Sequence, residues 1–119
     1  MTIADILLIA TGGFIGAIVR YMVSEKLNKR VGFPVGTLLV NLVGSFFIGF
    51  IFGLELSLVW TVFLVSGFAG ALTTYSTLNK ELILFWQSDC KQTFFVYLFI
   101  TYAVGIILAY TGYYMGVLL

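Results

Sequence analysis

Histidine is absent from this 119-residue chain, cysteine and proline occur once each, and acidic side chains number five. With no histidine and no clustered carboxylates, the chain lacks groups for acid–base catalysis, so an enzyme is the least supported class. Cys90 alone cannot make an internal disulfide, and it has no His or Cys partner for a metal site. Charge is also scarce: 9% of residues are charged against 61% hydrophobic, with a formal net charge of +1. A water-soluble domain of this length needs far more polar surface. So slight a basic excess gives no reason to expect a nucleic-acid partner.

What is present is apolar length. Residues 34–54, 56–79 and 92–119 contain no charged side chain, and residues 6–23 contain only Arg20. About 20 apolar residues cross a bilayer. The first run follows Asp5 rather than a basic segment, so it is expected to be a retained span and not a cleaved signal. Four transmembrane helices are predicted, over residues 3–23, 34–54, 58–86 and 93–119.

Each span has a pattern. Gly12, Gly16 and Arg20 recur every fourth residue in the first, a spacing of small residues that lets another helix approach closely. Arg20 reads either as a headgroup anchor or as an inward charge drawing anions to a vestibule. The link after it carries Glu25, Lys26, Lys29 and Arg30, and Pro34 opens the second span. There Thr37, Asn41 and Ser45 form a polar stripe on an apolar helix. Asn41 serves either as interhelical glue or as an N–H donor to a desolvated anion. The third span is 29 residues long. As one helix it would reach roughly 44 Å, against a hydrocarbon core about 30 Å thick. Its middle holds Gly67, Gly70, Thr73, Thr74, Ser76 and Thr77, so a break is expected near residues 70–77. Tyr97, Thr101 and Gly105 make a sparse polar line on the fourth span, and Tyr110, Tyr113 and Tyr114 suit an interfacial belt.

Three of these segments together resemble the Fluc/CrcB-type fluoride channels. They are Gly12-Gly13-Phe14-Ile15-Gly16-Ala17-Ile18-Val19-Arg20-Tyr21, Gly36-Thr37-Leu38-Leu39-Val40-Asn41-Leu42-Val43-Gly44-Ser45-Phe46, and Gly67-Phe68-Ala69-Gly70 followed by Thr73-Thr74-Tyr75-Ser76-Thr77. The likeness extends over essentially the whole chain. It implies an all-α membrane protein of four transmembrane helices with a broken third helix, in an antiparallel dual-topology dimer in the cell membrane. It also implies a structural sodium ion at the dimer centre, held by the backbone carbonyls of Gly70 and Thr73. Fluoride would pass along Asn41, Tyr75, Ser76, Thr77, Leu78, Tyr97 and Thr101, with Arg20 by the vestibule, and the role would be passive export of toxic fluoride. The family normally has phenylalanines at the positions of Tyr75 and Leu78, where ring edges face the anion. Tyr75 keeps a ring and Leu78 does not.

The basic residues are unevenly placed. Lys26, Lys29, Arg30 and Lys91 fall in the first and third links, with Lys80 nearest that side. Such a bias favours one orientation, with these links in the cytoplasm. The partner is therefore a second copy or, on this bias, a separate homologue inserted the opposite way. Two other classes remain at this stage. A small proton-coupled drug exporter needs a titratable group in mid-membrane, whereas Asp5, Glu55 and Glu81 lie at ends or flanks. A non-conducting structural or regulatory subunit is the other.

Overall fold

The computed structural model describes residues 2–28 and 33–119. Among the described residues four crossings are long and apolar enough to span a membrane: Ile3–Leu27, Val35–Leu54, Leu58–Gln87 and Lys91–Leu118. We label the first two α1 and α2. The third is two helices, α3 (residues 58–72) and α4 (Ser76–Gln87), and Lys91–Leu118 is α5. Helix is the form these runs must take, because hydrocarbon offers nothing to bond a free amide or carbonyl.

Their ends are set by local chemistry. Thr2 and Asp5 form a reciprocal capping box at the start of α1. α1 runs on to Leu27 rather than ending at residue 23, taking Glu25 and Lys26 into its last turns. Lys29 and Arg30 lie outside the described residues. Pro34 stands just ahead of α2 rather than inside its first turn. Glu55 ends α2 in the left-handed region, at φ 54°. Asp89 does the same after α4 at φ 60°, where the Asp89 and Cys90 amides donate back to Trp86 and Phe85. α5 begins at Lys91, slightly ahead of the predicted start.

The crossings pack as two pairs, α1 on α3 and α2 on α5. Backbone meets backbone in both. A Cβ at Gly16 would collide with the carbonyl of Phe68, and one at Gly49 with the carbonyl of Ala109. Small residues thus face inward and large ones outward: Phe14, Phe99 and Ile106 are each about 70% exposed. In water that surface would aggregate, whereas in lipid it is solvated. Two stretches relax to π-helix, Val62–Ala69 within α3 and Ile100–Val104 within α5.

Candidate functional site

The break in the third crossing is narrower than predicted. It occupies Thr73–Tyr75, with Thr73 extended at φ −79° and ψ 158°. Asn41 holds it open from α2. The Thr74 amide donates to Asn41 Oδ1 at 2.8 Å, and Asn41 Nδ2 donates to the Thr74 carbonyl at 3.1 Å. Thr74 Oγ1 in turn accepts the Thr77 amide at 3.2 Å, capping α4. These two captures have a side effect. In a continuous helix the Thr74 and Thr77 amides would bond the carbonyls of Gly70 and Thr73. Here both amides are taken, so those carbonyls are left to other partners. Gly70 is exposed, and the Thr73 hydroxyl donates back to Ala69 at 3.0 Å.

Beside the break lies a cavity of about 340 Å³ between α2, α4 and α5. Asn41, Ser45, Thr73, Thr74, Tyr75, Leu78 and Thr101 line it. Thr101 is its distinctive member. Thr11, Ser45, Thr73 and Thr111 each donate to the carbonyl four residues earlier. Thr101 sits in the π-helical stretch, where that register is lost. Its hydroxyl is buried and has no hydrogen-bond partner among the described residues. A buried hydroxyl left unpaired beside a cavity is costly unless something in the cavity bonds it.

A second polar group lies one turn of α2 away. The Tyr97 hydroxyl donates to Glu81 Oε1 at 2.9 Å, and the Thr37 hydroxyl donates to Glu81 Oε2 at 3.2 Å. Asn28 Nδ2 donates to Thr37 Oγ1 at 3.3 Å. Tyr97 and Thr37 are fully buried. Phe33 and Phe85 meet the tyrosine ring edge-on, at 5.1 and 6.0 Å. Leu78 divides the two groups, lining the cavity on one side and packing with Leu82 and Tyr97 on the other.

A polar break, a cavity with an orphaned donor and a hydroxyl–carboxyl chain are the features of apolar helices that enclose something polar. Residues 7–113 match the family described as CrcB-like protein, Camphor Resistance (CrcB). The chain belongs to this family. A relative from Bacillus thuringiensis subsp. konkukian (strain 97-27), named Fluoride-specific ion channel FluC 2, is 42% identical over 114 residues, which is 94% of this chain and 97% of that protein. One from Geobacillus kaustophilus (strain HTA426), Fluoride-specific ion channel FluC 1, is 42% identical over 111 residues, covering 92% and 96%. One from Methanococcus maripaludis, Fluoride-specific ion channel FluC, is 52% identical over 82 residues, covering 65% and 66%. The resemblance read from the motifs is thus the right family.

The residues expected to line one path fall into two places in this CrcB-like chain. Asn41, Tyr75, Leu78 and Thr101 meet at the cavity, while Tyr97 joins the Glu81 group. Tyr75 and Leu78 both border the cavity, Tyr75 at its open side with 70% exposure and Leu78 in its wall at 3%. Ser76 is exposed and Thr77 half-buried at the start of α4. Arg20 is half-buried on α1, one turn beyond Gly16. Glu81, read as a flank residue, lies level with the start of α2 and the end of α1, and it turns inward to Thr37 and Tyr97. Its spacing carried the signal, because Leu78, Glu81, Leu82 and Phe85 follow the i, i+3, i+4, i+7 rhythm of one helical face.

Proposed function

We propose that this chain is a fluoride-conducting subunit that lets the anion leave the cell passively. The observation that carries the reading is the unpaired, buried Thr101 hydroxyl at the cavity, with the Glu81 chain of hydroxyls next to it. Fluoride is small and strongly hydrated, so a narrow path must replace its water with donors. Thr101, Thr37 and Tyr97 supply hydroxyl donors. The last two are held by a carboxyl group, itself an acceptor that an arriving anion can replace. Asn41 contributes differently, since its amide is engaged with the Thr74 peptide.

The Gly70 and Thr73 carbonyls suit a sodium ion. Their helical donors are diverted, and a hard cation takes oxygen ligands. Bound there, the ion would supply fixed positive charge at the break. The partner we propose is an oppositely inserted chain, in a homodimer or with a homologue. The uneven basic residues favour the second arrangement. Glu81 turns inward, but beside the first turn of α2 and not midway along the crossings, and family membership also favours the channel over a proton-coupled exporter.

Fluoride efflux from liposomes, with chloride as control, tests the function for this chain alone and with an oppositely inserted homologue. Fluoride loss without chloride loss is expected in at least one preparation, and none in either overturns the reading. Tagged termini that face both ways equally, with full flux from this chain alone, would exclude the heterodimer.

A further inference from the structure

Asn28 closes the C-terminal end of α1 and reaches across to the start of α2. Its Oδ1 accepts the amides of Gly36 at 2.7 Å and Thr37 at 3.3 Å. Two backbone donors on one atom settle which end of the side-chain amide is which. Nδ2 must then face Thr37 Oγ1, and nitrogen there can only donate. Thr37 Oγ1 therefore accepts from Asn28, which leaves its single proton for the opposite side, where Glu81 Oε2 lies at 3.2 Å beside the Tyr97 hydroxyl. Bulk water does not share in the choice, because Thr37 is 0% exposed. The approach that makes this possible depends on Gly36, where a Cβ would lie 2.8 Å from Ser24 Cα and 2.9 Å from Asn28 Oδ1.

We propose that Asn28 is a positioning residue for the Glu81 chain. By donating to Thr37 it fixes the direction of that hydroxyl, so that Glu81 is met by two donors rather than one. It thereby sets how those donors are offered to a passing anion. The inference rests on the anion-conducting reading for its consequence, while its geometry stands apart from it.

Asn28→Asp separates the two jobs of the side chain. An aspartate keeps the oxygen that caps Gly36 and Thr37, and a negative charge is favoured at a helix N-terminus. It replaces the donor with an acceptor, which competes with Glu81 for the Thr37 proton. Thermal unfolding in detergent should be unchanged. The carboxyl infrared band of Glu81, assigned by difference from Glu81→Gln, should shift. Fluoride flux should fall about fivefold in the native background and hardly at all in a Thr37→Val background, as coupling through one hydroxyl requires. A similar fall in both backgrounds would mean that the new charge acts directly, and an unshifted band would mean that Thr37 never changed partner. Either result overturns the proposal. Should the protein pass no fluoride, the infrared shift still decides. If Asn28→Asp does not fold, Asn28→Ser, whose shorter side chain gives up the amide donor and the cap together, takes its place, and the infrared shift and the loss of the flux effect in the Thr37→Val background decide as before.

Discussion

Thr37 and Asn41 stand one turn apart on α2 and reach the same crossing, yet they grip different things. Asn41 holds a peptide group, matching donor to carbonyl and acceptor to amide. Thr37 holds a carboxyl group, which a tyrosine also holds. A side-chain amide closed onto a backbone replaces a helical hydrogen bond, and its loss strands buried peptide groups. A hydroxyl on a carboxyl group is a rotor on an exchangeable anion. The first arrangement suits architecture and the second suits traffic. Of the two readings of Asn41, glue and donor, its bonds to Thr74 are those of glue, and its place at the cavity keeps the second N–H for the other.

Four substitutions would break or sharpen that contrast. Asn41→Leu should have the largest effect, destabilising by about 2–4 kcal/mol because both Thr74 peptide groups lose a partner. Thermal unfolding and monodispersity in detergent report it, and a native-like melt would remove the architectural role. Glu81→Gln should lower fluoride flux about tenfold, with stability changed by less than about 1 kcal/mol. Unaltered flux would make the Glu81 chain another brace. Thr101→Val should move two readouts in opposite directions. Removing an unpaired buried hydroxyl raises stability by up to about 1 kcal/mol, while flux falls several-fold. Lowered stability would show that the hydroxyl has a structural partner after all. Glu55→Gly is the smallest, at the far end of α2. Relief of the left-handed backbone should add roughly 0.5–1 kcal/mol to stability without touching flux.

Much of this was legible in the residues, and the reasons differ. The four crossings follow from uncharged length, and the break from a span too long and too rich in hydroxyls to remain one helix. The Thr37, Asn41 and Ser45 stripe was plain, but a stripe does not name partners. Counting from the chain's polar ends placed Glu81 at the flank but could not say which way it turns, and the face it shares with Leu78 and Leu82 turns it inward. Tyr97 and Thr101 were expected on one line because four residues separate them. The π stretch beginning at Ile100 widens the turn between them, so Tyr97 reaches Glu81 and Thr101 reaches the cavity. No residue pattern announces such a stretch. It arises where packing of α5 on its neighbours overrides the local preference.

The Thr74 amide ties the shape of the break to another helix. An amide serves one good acceptor at a time, and here the acceptor belongs to α2. Tyr75, just past the turn, already has helical dihedrals, at φ −94° and ψ −39°. The interruption is therefore as short as the reach of one neighbouring side chain. It is a property of two helices together, so whatever shifts α2 shifts the joint between the two half-helices.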